Sequence, residues 1–367
     1  MTSVVRSGRS RSEAQAAQVR GGASAVLVCG PGGSVVVDGV ATGLARLRGE
    51  VVGETVRVVA LDGDLADDAL VDQVRGARAA VLVARDPAED LRTVRDRETR
   101  VTGSAERLFT ALAQSDVSRL VVVTSAVLYG PHPDNPLPLA EDHVAAQPTP
   151  VGLITALQSV ETAAVELTRC RGDLRLTVLR PAALVAPGID GDVTRHFAAP
   201  RLLGLRGIPM AWQFCHVDDL ATAVAVVLDL GDDAVDASPT VMAVGAPGWL
   251  TDAEVETMCG KRRIDLPPTL VFGATDRLQR IGATVSGSVT ALVYPWVVEP
   301  GQLSAAGWHP RYDNAAALEA LLVEARDVRH QVARRRGREA AGAAGATVAA
   351  LGTALVVRRA RRRRRQG

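Results

Sequence analysis

The chain holds one lysine, Lys261, among 42 basic residues, so arginine supplies nearly all of its positive charge. Aromatic residues are scarce too, at 3%, against an apolar content of 47%, so any core is built from Ala, Val and Leu. The four cysteines (Cys29, Cys170, Cys215, Cys259) lie far apart. They form no metal-ligand pair and imply no disulfide framework. Three of them sit in or beside apolar runs, where a free cysteine acts as a small hydrophobe, and a reducing cytoplasm is the simpler setting. None of the six histidines has metal-site spacing. A net charge of +1 gives the whole protein no electrostatic preference for nucleic acid or acidic ligands. Met1 to Gly22 is basic and rich in Ser, Arg, Gly and Ala, lacks the apolar run of a signal peptide, and reads as a disordered leader.

What the sequence does have is a short apolar run, Ala25 to Val28, that breaks into Gly30-Pro31-Gly32-Gly33 and then into a segment able to wind as a helix. Strand, glycine turn and helix together make a cradle for a dinucleotide pyrophosphate, because glycine lets the backbone approach and the helix N-terminus favours negative charge. The spacing is Gly30-x-x-Gly33-x-x-Val36, with valine where a third glycine packs helix on strand. On this stretch alone, a nucleotide site and a plain glycine-rich turn stay equally open.

Beyond it, strands and helices alternate. Val35–Arg48 reads as a helix weakened by Asp38, Gly39 and Gly43, Val56–Leu61 as a strand, and Asp67–Val74 as a helix. Ala79–Ala84 and Leu120–Val123 read as buried strands, with a helix over Val101–Gln114 between them. A broken stretch with six prolines, Pro131 to Pro150, precedes a helix over Gly152–Arg169 and a strand over Leu176–Leu179. Such alternation implies a parallel sheet covered on both faces. A second strand ending in an acid is due about 20 residues beyond the glycines. Only Glu50–Glu54 falls there, so that strand is expected to be very short or absent and its acid unassignable.

The ordered motifs resemble the extended short-chain dehydrogenase/reductases of the NAD-dependent epimerase/dehydratase type. The likeness runs from about residue 24 to residue 325. Gly63-Asp64-Leu65 resembles the segment that holds the adenine ring, and Val121 to Gly130 the strand and turn with the catalytic Ser or Thr, at Ser125. Leu179 to Gly188 resembles the loop beside the nicotinamide, His216 to Ala221 the helix start that docks the substrate lobe, and Gly307 to Arg311 the closing segment. The resemblance implies a Rossmann-like, doubly wound α/β sheet with a smaller mixed C-terminal lobe, and NAD or NADP as cofactor. It implies cofactor contacts at Gly30, Gly32, Gly33, Asp64, Leu65, Ala84, Thr124 and Pro181, and a homodimer paired through the helices near 101–115 and 152–170.

The catalytic pair of these enzymes does not occur. They use a Tyr with a Lys four residues later, a spacing that stacks both on one helix face, and the lysine lowers the tyrosine pKa for proton transfer. Four residues beyond Tyr129, Tyr294 and Tyr312, the only tyrosines, lie Pro133, Val298 and Ala316. Val151 and Thr155 fall close to the two positions, and neither does proton chemistry of that kind. Two readings follow. One is a binding, sensing or scaffold protein with a degenerate site. The other is an active oxidoreductase or epimerase, on a nucleotide-sugar-like or other small substrate, with a substituted base. His143, or a carboxylate near Glu141–Asp142, is the candidate base, acting with Ser125; His132 shares its loop, and His216 reads as structural at a helix start.

Four segments result: a leader (1–23), the dinucleotide domain (24–188), a substrate-side lobe with a closing helix (189–333) and an Arg-rich tail (334–367). Residues 281–298 are uncharged but rich in Gly, Ser, Thr and Pro, and read as lobe core. In the tail, Ala340–Val357 carries no charge and precedes a run of arginines ending at Arg365. A membrane span, contact with an anionic membrane surface and a solvated tail all stay open, with peripheral attachment at the inner face the expected address of a membrane contact and no specific nucleic-acid binding expected.

Overall fold

The structure, a computed structural model, describes residues 25–49, 54–62, 66–87, 94–144, 152–231, 238–273 and 289–338. The first half runs β1 (Ala25–Gly30), α1 (Val35–Gly49), β2 (Thr55–Ala60), α2 (Asp67–Val74), β3 (Ala77–Val83), α3 (Val94–Leu112), β4 (Arg119–Val123), a 3-10 turn (Ala126–Tyr129), α4 (Gly152–Cys170) and β5 (Arg175–Pro181). The second half adds β6 (Ala183–Val185), α5 (Asp192–Ala198), β7 (Leu202–Leu205), β8 (Ala211–Trp212), β9 (Phe214–His216), α6 (Val217–Asp229), β10 (Thr240–Val244), β11 (Leu250–Thr251), α7 (Asp252–Cys259) and β12 (Arg263–Leu266). It closes with α8 (Val289–Val293), α9 (Gly301–Ala305) and α10 (Asn314–Arg338).

Six parallel strands form one sheet in the order β10-β5-β4-β3-β1-β2. Every residue of β1 and of β4 is buried, as continuous apolar runs covered on both faces must be. One core layer packs α3 and α4 against the sheet, and the other packs α1 and α6. The two layers hold few aromatics, Phe109 in one and Trp308 in the other, and most of the rest collect in the lobe, where Trp212 stacks on Phe214 and Phe197 meets both edge-on.

The expectation of an absent second strand is corrected. Thr55–Ala60 pairs with β1, Val56 opposite Val26, and takes the second-strand place. Among the described residues no strand lies beyond it: the common order 3-2-1-4-5-6 puts two strands outside the first, and here β2 is the edge. Glu54 is buried in an ion cluster with Arg48 at 2.7 Å and with Arg78, and Arg48 also reaches Asp229 at 2.6 Å. That cluster ties the end of α1, the start of β2 and the end of α6.

Two glycines that weaken α1 locally are needed by its packing. A Cβ at Gly39 would lie 2.4 Å from Val217 Cγ1, and one at Gly43 would lie 2.5 Å from the Ala221 Cβ. The α1–α6 crossing is therefore closer than side chains permit. Other expectations shift only at element ends, with α3 starting at Val94 and α10 reaching Arg338. Of residues 281–298, the described part includes α8, whose Val289, Leu292 and Val293 are buried in the lobe core. No helix of the described residues is long and apolar enough to cross a membrane. The leader and residues 339–367 lie outside the described residues.

Candidate functional site

The site is built at the C-terminal tips of the parallel strands. β1 ends at Gly30, where a Cβ would lie 2.6 Å from Val37 Cγ2 and 3.1 Å from the Val83 carbonyl, so helix and strand close on bare backbone. Gly33 has φ +71°, a left-handed value natural to glycine, with open space above its Cβ position. Gly32 and Gly33 are exposed, and Val36, in the third fingerprint position, is fully buried between helix and sheet. Ser34 caps α1: its Oγ accepts the Val37 N–H at 3.2 Å, and its carbonyl accepts the Asp38 N–H. The N–H groups of Val35 and Val36 belong to the first turn, which has no intrahelical acceptors for them, and they make an anion-ready helix start. Cys29, just before the turn, is no nucleophile; burial pushes its thiol up to about 12.

An acid does stand beside the glycine turn: Asp62, just past β2 and 30 residues beyond Gly32. Its Oδ1 accepts the Gly32 N–H at 2.6 Å and its Oδ2 pairs with Arg100. Partial burial works against the charged form, but the Gly32 N–H and the Arg100 charge outweigh it and hold the carboxyl below the usual range. Asp64 and Leu65 lie outside the described residues. The sequence signal for Asp62 was an acid directly after the first strand that follows α1.

At the neighbouring tips, Ala84 and Pro181 are buried, and the Ala84 N–H is bonded to the Val123 carbonyl. Thr124 is buried and donates to Glu161 Oε1 at 2.7 Å. Glu161 also receives a two-pronged bond from Arg180, at 3.0 and 2.6 Å. The Arg180 guanidinium stacks over the Tyr129 ring, 4.7 Å from its centroid, and the Tyr129 O–H donates to the Glu141 carbonyl. Burial pushes the Tyr129 phenol up to about 12 although Arg180 pulls the other way, so it stays protonated. The Glu141 carboxylate accepts the Ala243 N–H at 2.8 Å and the Gln302 N–H at 3.0 Å. This chain of contacts pins the tips of β4, β5 and β10 together.

Ser125 lines a cleft cavity of about 50 Å³ between the sheet tips and the lobe. Its Oγ accepts the Val127 N–H at 3.3 Å and caps the 3-10 turn. From α4 the side chain on that wall is Leu153, and Leu157, one turn on, is fully buried. Of the two positions that fall near the family's pair, Thr155 is exposed while Leu153 and Leu157 are buried, and Val151 lies outside the described residues. His143 is half-buried, lies in the proline-rich loop, and is not among the residues lining the cavity, so Ser125 and His143 do not share it. His132 sits 3.7 Å from Asp134 in the same loop. His216 caps α6 through the Asp218 N–H and stacks on Tyr312, while Asp219 accepts the Arg311 and Tyr312 N–H groups, so this motif fastens the closing segment. Among the described residues no group of His, Cys, Asp and Glu could hold a metal ion.

Over the cleft, the segment after β6 touches both sides. Gly188 rests on Val35 at the start of α1, with its N–H on Glu324 of α10 at 2.7 Å. Gly191 abuts Pro87 at the β3 tip so closely that a Cβ would lie 2.8 Å from the Pro87 carbonyl oxygen.

Comparison with known proteins bears on this architecture. The model of the NAD dependent epimerase/dehydratase family matches residues 41–245. The uncharacterized protein Rv0501 of Mycobacterium tuberculosis (strain ATCC 25618 / H37Rv) is 27% identical over 185 residues, which cover 50% of this chain and 47% of that protein. The chain thus spans about half the length of the curated relatives it matches. Among solved structures, MoeE5 in complex with UDP-glucuronic acid and NAD aligns with a TM-score of 0.60 at 18% identity, over 83% of this chain and 100% of that one. A UDP-glucose 4-epimerase from Thermotoga maritima, solved with UDP-glucose, aligns with a TM-score of 0.60 at 15% identity, over 83% and 99%. At such identities the likeness establishes the Rossmann-like fold.

Proposed function

The chain belongs to the NAD dependent epimerase/dehydratase family, and on that premise we propose that its cleft binds a nicotinamide dinucleotide without the family's Tyr/Lys proton chemistry. One observation carries the reading. An exposed glycine turn with free space over Gly33 leads into a Ser34-capped helix, and Asp62 stands beside it at the tip of β2. The residues present fit the group. The first-turn N–H groups of α1 would hold the pyrophosphate, and Asp62 would face the adenosine ribose. A bound dinucleotide supplies hydride exchange at its nicotinamide ring. The chain's own groups supply no matching proton acceptor of the usual kind: Leu153 and Leu157 occupy the inward face of α4, and Tyr129 keeps its proton. A binding or sensing role follows.

Isothermal titration of the full chain with NAD+, NADH, NADP+ and NADPH tests this. Saturable heat with at least one of the four is expected, and none with any of them would sink the reading. Retained catalysis with a substituted acid or base is favoured by one feature, the presence of Ser125, Arg85 and Asp192 on one cavity wall set. The Arg-rich tail is proposed to meet an anionic membrane surface, which comparing the cellular distribution of the chain with and without residues 338–367 tests; an unchanged soluble distribution counts against it.

A further inference from the structure

We infer that two copies of the chain pair through the open edge of β2, antiparallel about a two-fold axis at Val58, and so join their sheets into one.

The two edges of the sheet, β10 and β2, are unlike. At β10 the outward backbone groups are met by side chains. The Val241 carbonyl accepts from Gln302 Nε2 at 2.9 Å, and the Ala243 N–H donates to Glu141 Oε1 at 2.8 Å. Among the described residues nothing covers β2 in this way. The Leu61 N–H, just past its end, points inward and donates to the Gly30 carbonyl at 2.9 Å. Backbone groups alternate in side along a strand, so those of Val56, Val58 and Ala60 point outward. The usual protections of an edge are also missing. β2 contains no proline and no lysine, and its register with β1 runs without a bulge. Its central outward residue, Val58, is 52% exposed, and Leu47 on α1 is 40% exposed. Side chains alternate too, so Val58 and Ala60 point to the layer in which Val56 packs, the layer of α1 and α6.

A second copy fits this edge because the edge is complementary to itself. In an antiparallel pair, outward residues must meet outward residues. A two-fold axis at Val58 is the register that engages all three: Val58 meets its own copy, and Val56 meets Ala60. Arg57 then stands opposite Val59. An axis at Arg57 would set two arginines face to face and leave Ala60 opposite Glu54, and like charges directly opposite are destabilising. Two-fold pairing of one patch with itself is the commonest closed association of soluble chains. The second copy's β2 fills the place where the common strand order continues outward. This contact is separate from the helices near 101–115 and 152–170, through which the resemblance implies a homodimer. One strand pair is small beside the roughly 1,600 Å² of a standard interface, so the dimer is concentration-dependent and not obligate.

Sedimentation velocity of the full chain tests the inference, run across about 1–200 μM, the range suited to a small interface. A monomer–dimer equilibrium is expected. Val58→Lys and Val58→Glu are each expected to weaken the dimer at least about tenfold, since like charges then meet at the axis. An equimolar mixture of the two variants is expected to restore it, because opposite charges then meet. The site is exposed, so each variant keeps the thermal midpoint of the unaltered chain, and a loss of dimer is read at the interface and not as unfolding. A dimer weakened by each variant and restored by mixing upholds the inference. A chain that stays monomeric throughout, a dimer that both variants leave intact, or a mixture as weak as either variant alone overturns it.

Discussion

Gly43→Ala should destabilise the protein, although alanine is the better helix former. In an exposed helix interior the exchange stabilises by about 1 kcal/mol. At Gly43 the new Cβ falls 2.5 Å from the Ala221 Cβ, where carbon atoms sit about 3.5–4.0 Å apart at contact. Ala221 is fully buried in α6, and its Cβ is fixed to the backbone, so no rotamer change relieves the clash. The two helices must separate by about 1 Å, and overpacking of this kind costs about 1–3 kcal/mol. The site allows no side-chain escape, so the upper part of that range applies, and the net loss is about 1–2 kcal/mol after the propensity gain. Urea unfolding reads this as a lower midpoint at unchanged slope. Adding Ala221→Gly to Gly43→Ala removes the clash and should recover most of the loss. A midpoint raised by Gly43→Ala alone would refute the close crossing of α1 and α6.

Three other outcomes are expected. Burial, reinforced by the Lys261 and Arg263 charges, lowers the His196 pKa from 6.5 to about 4. The folded state binds fewer protons there than the unfolded one, so this stability is whole above pH 6.5 and drains as pH falls toward 4, a loss on the order of 2 kcal/mol. In urea titrations His196→Leu should lack that loss. Glu161→Gln leaves the Arg180 guanidinium, mostly buried over Tyr129, without its carboxylate, and should lower stability by about 2 kcal/mol after allowance for partial exposure. Thermal unfolding reads this, and an unchanged midpoint would contradict the clamp at the strand tips. At Gly33, φ +71° in open space makes the backbone the sole obstacle, so Gly33→Val should cost about 1–2 kcal/mol and Gly33→Asn less, since Asn tolerates that region. Equal losses would point to a side-chain clash instead.

The parts of this fold legible in the sequence were those set by local pattern. The runs at Ala25–Val28, Ala79–Ala84 and Leu120–Val123 had to be buried strands, because nothing in them could face water. The alternation with helices fixed a parallel sheet, and Ser125 at the end of β4 followed from the motif. Long-range contacts were not legible. Gly39 and Gly43 read as flaws in a helix because their partners, Val217 and Ala221, arrive from far along the chain. The place of the second strand is not legible from spacing: a count of about 20 residues from the glycines ends at Glu54, whereas β2 starts one residue later and Asp62 lies 30 residues beyond Gly32. Only the fold brings Arg48 and Arg78 to Glu54. The inward face of α4 depends on the helix register, which the broken proline-rich stretch before it hides. The pairing of Glu161 with Arg180 is not legible in the sequence, because it needs α4 laid across β5.

The central claim is that a dinucleotide lodges in the cleft that runs from Gly33 to the cavity edged by Trp296. Energy transfer from tryptophan to NADH tests it most directly, because Trp296 lines that cavity. The expected result is saturable NADH emission on tryptophan excitation, weaker in Trp296→Phe and lost in Gly33→Val. No saturable emission, or emission that both variants leave unchanged, would contradict the claim.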